Sequence, residues 1–357
     1  MPGKAWAGLP TSDHHIGRRD PAVDYSAERC SLEGFMARMN ARMMRGKTAL
    51  EVAAEIYNKH MFSLGNVVTV SIKPSSKEEQ FPPITLGING DVMGGMQAPI
   101  EVAKRHVDVG FVNPSAIVTM AYRGKGFYKQ KLPLRALASF PSWDRIAFAV
   151  SKEFRLKSLF ELGERKLPLN VSTRSSGIGN TTRYTIDKVL SLYGLSFASI
   201  RRWGGKIEEC PRPTSDERIE SIKTGKINAV FDEGLHGWLP TALDQGFKVL
   251  SLEPKILRQL ERLGFQRAVL PQEKYPKLGR DIQTLDFSGW PLITHRWLPN
   301  ELAYAICEAI DARQNVIPVD DDHPLDMRKL CRSLDASPLG IPLHPGAKQY
   351  YQEKGYL

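Results

Sequence analysis

Ser175, Ser176, Thr181 and Thr182 are crowded into one stretch, RSSGIGNTTR, broken by Gly177 and Gly179 and flanked by Arg174 and Arg183. A strand-like run (LNVST) enters it and an amphipathic pattern leaves it, so the stretch reads as a loop that ends at a helix start. Such a start leaves backbone N–H groups unpaired and carries partial positive charge, and hydroxyls and arginines add further donors. The chemistry this suits is holding an anion. An ordinary capped strand–helix junction uses the same residue types, with Asn180, Thr181 or Thr182 as N-cap. No Lys-Ser or Lys-Thr follows the glycines, and Thr182 stands where G-x-G-x-x-G needs its last glycine. Nucleoside triphosphates and dinucleotides are therefore poor fits.

Other polar clusters sit where hydrophobic runs end. VDVGFV stops at Asn113-Pro114-Ser115, and INAVF stops at Asp232-Glu233-Gly234. His236 follows the acidic pair closely enough to suggest acid–base chemistry or a mixed oxygen–nitrogen metal site. A fourth ligand is not identifiable from spacing, and a structural role for His236 fits the same residues. Cys30, Cys210, Cys307 and Cys331 are far apart with no C-x-x-C pair, which argues against zinc, leaves a disulfide open and best suits reduced thiols. No G-x-S-x-G elbow is present. The balance favours binding over catalysis, with no cofactor and no metal expected.

The elements that must position these residues alternate. Ile186, Val189, Leu190 and Tyr193 recur on one helical face, predicting a helix over 181–193. ITLGI, VDVGFV, LNVST and INAVF read as strands, with helices over MQAPIEVAKR and ERIESIKTG between them. IEVAKRHVDVGFVN and IESIKTGKINAVFD form a faint repeat roughly 120 residues apart, each a helix, a break, and a strand ending in polar groups. Two similar α/β lobes follow, with mostly parallel sheets and ligands beyond the carboxyl ends of the strands. LRALASFPSWDRIAFAVSK and TLDFSGWPLITHRWL each hold extended runs that can cross between lobes, placing Trp143, Arg145 and Trp290 near the crossings. The expected division is a 1–60 extension, irregular then helical with Met36, Met39, Met43 and Met44; a first lobe from 61–144 and 285–357; and a second from 145–284.

The chain has 357 residues, 42% hydrophobic and 25% charged, which suits a globular protein with two cores. Its formal net charge of +10 favours acidic ligands or surfaces. Basic residues are scattered among acidic ones without a block or a recognisable module, so no nucleic-acid partner is expected. No run is long and apolar enough for a membrane span. The N-terminus places charges and prolines where a secretory signal needs an apolar core, and the Arg18–Arg19 pair is followed by Asp20 and Pro21. As written, the chain is expected in the cytoplasm.

In order and spacing, VDVGFVNPSAIVTMAYRGKGFY, PLRALASFPSWDRIAFAVSK, SSGIGNTTRYTIDKVLSLYGL, GKINAVFDEGLHGW and PLHPGAKQYYQEKG resemble the TAXI family of TRAP-transporter solute receptors. The resemblance covers about residues 84 to 357. It implies a two-lobed type II periplasmic-binding-protein fold, with the helical N-terminal segment as an addition. It also implies closure on a small organic anion, often a carboxylate, that is passed to a membrane transporter. Carried onto this chain, Ser175, Ser176, Gly177, Gly179, Thr181 and Thr182 form the second-lobe anion loop, faced by Asn113 and Ser115. Asp232 and Glu233 would receive an amine or hydroxyl, Trp143 and Arg145 would lie at the crossing, and Asn89 and Asp91 of NGDVMGG would supply first-lobe contacts. Family receptors work in the periplasm, the alternative to a cytoplasmic sensor with an intracellular partner. A cytoplasmic enzyme on the same scaffold, such as a decarboxylase acting on a carboxylate, is the other function this fold admits.

Overall fold

The computed structural model describes residues 67–71, 83–88, 95–176, 179–312, 314–315 and 325–357. The methionine-bearing segment, Asn89, Asp91 and Gly177 lie outside the described residues. All described residues belong to one unit, Ala41–Leu357.

The first sheet is assembled from both ends of the chain. It contains β1 (Val67–Ser71), β2 (Pro83–Ile88), β3 (Val109–Phe111), β4 (Leu134–Phe140) and β12 (Trp290–His295), in the order β1-β2-β3-β12-β4. β2 and β3 are parallel, whereas β12 runs antiparallel to both its neighbours. The second sheet comes from the middle of the chain. It contains β5 (Ala147–Ser151), β6 (Asn170–Arg174), β7 (Lys206–Cys210), β8 (Ala229–Asp232) and β9 (Phe247–Val249), in the order β7-β6-β8-β5-β9. Here β5 is the antiparallel strand, paired with β8 and β9. β10 (Arg267–Leu270) and β11 (Ile282–Leu285) form a short ribbon whose Leu270 and Ile282 pack with residues of β5, β8 and β9.

Helices fill the connections. They are α1 (Ala98–Ala103), α2 (Ser115–Arg123), α3 (Leu159–Arg165), α4 (Thr181–Leu192), α5 (Phe197–Arg202), α6 (Asp216–Lys223), α7 (Leu239–Asp244), α8 (Pro254–Leu263), α9 (Asn300–Ala312), α10 (Met327–Cys331) and α11 (Pro345–Glu353). No described helix is long and apolar enough to cross a membrane. The repeat seen in the sequence has a topological meaning: α1–β3 and α6–β8 each deliver a strand parallel to one neighbour and antiparallel to a crossing strand.

The fold is a two-lobed α/β architecture of the type II kind, each lobe built on a mixed sheet. Two crossings join the lobes and pair with each other. Phe287 donates its N–H to Asp144 O at 3.0 Å, and Gly289 donates to Ser142 O at 3.0 Å. The extended run expected over 284–298 is in fact two strands, broken at Phe287–Gly289. Gly289 takes φ 81°, and a Cβ there would press on the Pro338 ring at 2.8 Å, so only glycine fits comfortably.

On the outer face of the first sheet, Leu302, Ile306 and Ile310 of α9 pack with Tyr350 and Tyr351 of α11. A second apolar cluster takes in residues of both lobes. It includes Val118 and Met120 of α2, Ile186 and Val189 of α4, and Leu257 and Leu260 of α8. Cys210, Cys307 and Cys331 are buried free thiols, the last two in the cluster around α9 and α11, and burial pushes the Cys307 thiol up to about 12.

Candidate functional site

β6 lies between β7 and β8, and the site begins at its carboxyl end. Val171, Ser172 and Thr173 are buried, and Thr173 Oγ1 donates to Phe231 O at 2.9 Å, so the strand is fixed up to its last residue, Arg174. Arg174 is 9% exposed, an unusual place for a guanidinium unless it is paired. Its Nη2 meets Asp232 Oδ1 at 3.2 Å and also bonds Glu233 Oε1. Burial opposes the charge, but the two carboxylates outweigh it and raise the Arg174 pKa further.

A second arginine completes the cluster. Arg218 of α6 sits one turn before Ile222 on the buried face of its helix. Its Nη1 lies 2.6 Å from Asp232 Oδ2, and its Nε donates to Ser172 Oγ at 2.9 Å. Two guanidinium and two carboxylate groups thus sit together, formally neutral. Asp232 and Glu233, read as acceptors for a ligand amine, are spoken for by Arg174 and Arg218. His236 is exposed in the turn that follows, while the acidic pair points inward.

The loop after Arg174 divides into two halves. Ser175 N–H donates to Cys210 O at 3.0 Å. Ser176 donates both its N–H and its hydroxyl to Glu209 Oε2, at 3.0 and 3.1 Å. Arg183 Nη1 holds the other Glu209 oxygen at 2.9 Å. Burial alone would raise the Glu209 carboxyl, but the bonds from Arg183 and Ser176 bring it below the usual range. This half of the loop already holds a carboxylate, the chain's own.

The other half faces the first lobe. Gly179, at φ +69°, presents its carbonyl to Met96 N–H at 3.0 Å. Asn180 caps α4, its Oδ1 accepting from Arg183 N–H at 2.9 Å. Thr181 and Thr182 are buried in the first turn. Nearby, Tyr184 donates its hydroxyl to Met120 Sδ at 3.7 Å, so α4 and α2 meet directly across the two lobes.

The first-lobe candidates are engaged by the chain itself. Asn113 Nδ2 donates to the carbonyls of Phe287 and Gly289, at 3.3 and 3.0 Å. Ser115 Oγ donates to Pro338 O at 2.6 Å, and Ser139 Oγ shares that acceptor at 3.1 Å. At the crossing, Arg145 bonds Asp286 Oδ1 at 2.6 Å and both oxygens of Asp335 at 2.8 and 2.9 Å. Burial lifts the Asp286 carboxyl to about 6 despite Ser288 and Arg145, which pull the other way. Trp143 is clasped between Arg145 and Lys274, 4.6 and 4.3 Å from its ring. Asp144 accepts from Gly234 N–H at 2.9 Å, so the end of β8 rests on the crossing.

The structure therefore gathers Arg174, Asp232 and Glu233 at the carboxyl ends of β6 and β8, ties Arg183 of α4 to the Arg174 carbonyl, and stacks Arg145 on Trp143 at the first crossing. Asn113 and Ser115 are turned to the second crossing and to the segment around Pro338. Arg218, Glu209 and Asp335 escaped the sequence reading. For Arg218 a signal exists, because it shares a helical face with Ser221 and Ile222. Two guanidinium nitrogens of this cluster, Arg174 Nε and Arg218 Nη2, are buried and have no hydrogen-bond partner among the described residues. A buried charged donor without a partner is suited to an oxygen ligand.

The model of the family described as "NMT1-like family" matches residues 87–355. Among solved structures, one titled a periplasmic transporter shares 15% identity over 75% of this chain and 81% of its own, with a TM-score of 0.33. PhnD1 from Prochlorococcus marinus, in complex with methylphosphonate, shares 12% over 73% and 83%, TM-score 0.32. MatC from Rhodopseudomonas palustris, with bound malate, shares 10% over 61% and 67%, TM-score 0.31.

Proposed function

Because the chain belongs to the NMT1-like family, we propose that it binds a small organic anion, a carboxylate, between its two lobes and releases it to a partner. The observation that carries this reading is Arg174. Asp232 and Glu233 hold its Nη2, fixing the guanidinium plane, and its carbonyl accepts from Arg183 of α4 at 3.2 Å, while its Nε has no partner among the described residues. A carboxylate placed there would gain a charge-assisted bond from a donor that needs no reorganisation. Thr181, Thr182 and the partial positive charge of the helix start would share the second oxygen. Because Arg174, Thr181 and Thr182 are all buried, the ligand must enter when the lobes part and be enclosed when Met96 and Gly179 rejoin.

The finer assignment within this reading is a receptor of the TAXI kind. It is supported by GKINAVFDEGLHGW and PLHPGAKQYYQEKG, which supply the β8 end and α11. A receptor works with a membrane transporter; a cytoplasmic protein of the same design works as a sensor with an intracellular partner. Fractionation of host cells separates the two.

The test is a thermal-shift and calorimetric screen of mono- and dicarboxylates on the full chain. A binding acid at ~100 times its dissociation constant should stabilise the protein by about 2.7 kcal/mol. Arg174→Gln deprives Asp232 and Glu233 of a buried partner and so lowers stability, but the protein that calorimetry shows to be folded should no longer shift with the acid. If no acid stabilises the wild type, or if Arg174→Gln binds as well as the wild type, the reading fails.

A further inference from the structure

We propose that the end of the first lobe farthest from the crossings is a docking face for anionic phospholipid headgroups. A depression of about 610 Å³ opens there, and its cationic lining is Arg123, Lys125, Lys131, Arg135 and Arg296. Among the described residues no carboxylate lines it. None of the five is ion-paired among the described residues: Arg123, Lys125, Lys131 and Arg296 are exposed, and half-buried Arg135 lacks the carboxylate partner that Arg145, Arg174, Arg183 and Arg218 each have.

On one side the face adjoins the lobe contact, since Phe127 packs edge-on to Tyr184 of α4, 6.1 Å between ring centres; on the other it leads away from the crossings. α2 begins at Ser115 beside the second crossing and ends at Arg123, on the order of 13 Å further along its axis. Arg135 stands five residues before Phe140 on β4, roughly 17 Å of extended chain from the first crossing. The inference does not depend on what the cleft binds.

The composition of the face selects its partner. Arg296, on the rim, lies over the ring of Trp297 at 4.7 Å, and Arg105 flanks the same ring at 5.7 Å. Trp297 is nonetheless 50% exposed. An indole open to solvent between two guanidinium groups matches the headgroup level of a bilayer, where tryptophan rings and basic side chains concentrate. A site for one small anion would hold its donors rigidly by hydrogen bonds. Here only Arg135 is fixed, and its Nη1 is satisfied by Leu134 O at 2.8 Å. Long, unpaired cations around an open depression suit charge spread over a plane.

Sedimentation of the full chain with vesicles tests this. The vesicles contain phosphatidylglycerol and phosphatidylcholine in equal parts, or phosphatidylcholine alone. The wild type is expected to bind the anionic vesicles at least tenfold better, with about tenfold loss on raising salt from 0.05 to 0.5 M. Arg123→Glu/Lys125→Glu/Arg296→Glu should lose anionic-vesicle binding. Arg201→Glu/Lys223→Glu/Arg258→Glu, with the same charge change on exposed second-lobe residues, should keep it. Trp297→Ser should weaken binding several-fold with charge unchanged, and thermal unfolding confirms that each variant is folded. Equal loss in both triple variants would overturn the proposal by reducing it to net charge. So would absence of vesicle binding by the wild type, or patch-dependent capture of polyglutamate without vesicle binding, which would assign the face to an acidic protein.

Discussion

Arg218 and Asp232 face each other at 2.6 Å with no solvent exposure on either side chain. Asp232 reaches Arg174 with its other oxygen, so one carboxylate orients two guanidinium groups. Removing either member of the buried pair strands a charge in a region that cannot solvate it. Arg218→Met or Asp232→Leu alone should cost about 3–5 kcal/mol in urea unfolding. The double variant leaves Arg174 with Glu233 and should recover most of that loss. Two additive penalties would mean that the pair is not coupled.

A second contact joins the two lobes. Met120 is fully buried, accepts from the Tyr184 hydroxyl, and packs against Gly264, where a Cβ would lie 3.1 Å from its backbone. Met120→Ala should loosen the packing between α2, α4 and α8. Small-angle scattering should then report a larger radius of gyration without ligand. Carboxylate affinity should fall several-fold, because the binding-competent form is less populated. An unchanged radius with unchanged affinity would show that this contact does not govern closure.

The legible part of the fold was local. The hydrophobic period over 181–193 placed α4 to within one residue, and the repeat between 100–113 and 219–232 placed two topologically matched strands. What could not be read was long-range. Arg218 lies on an apolar helical face, and nothing nearby in sequence announces its partner, Asp232. Ser115 is satisfied by Pro338, a residue 223 positions away. The break at Gly289 arises from the approach of that same proline. The site's hydroxyl-rich loop was visible, but the carboxylate that occupies half of it, Glu209, belongs to the neighbouring strand β7.

The segment 335–340 acts as a strap over the start of α2. Asp335 is tied to Arg145, Ala336 O accepts from Ser142 N–H at 2.7 Å, and Pro338 O accepts from Ser115 and Ser139. Gly340 passes so close to Thr119 that a Cβ would collide with its hydroxyl and stand 2.9 Å from its Cβ. Thr119 cannot easily yield, since Oγ1 donates back to Ser115 O at 3.3 Å. Gly340→Ala should therefore destabilise by about 1–3 kcal/mol. Thr119→Ala in the same chain should restore part of that. Full tolerance of Gly340→Ala by itself would show that the strap is loosely held.

Acid should act through His344. This side chain is buried and caps α11, its Nδ1 accepting from Gly346 N–H at 3.3 Å, which requires that nitrogen to be unprotonated. Burial lowers the His344 pKa; the Leu298 backbone pulls it up, and the nearby Arg135 and His295 lower it further. A histidine depressed in the folded state binds fewer protons there than in the unfolded chain. Its stabilising contribution is complete above the unfolded value of about 6.5 and is lost as pH falls through the folded one. The unfolding midpoint should thus decline on acidification from pH 7 to 5. His344→Asn keeps a capping acceptor without a titrating group, so its midpoint should fall less over that interval. His344→Ala should lose about 1 kcal/mol at pH 7 and show the same flattened profile. Parallel curves for wild type and Asn variant would assign the acid sensitivity to other groups.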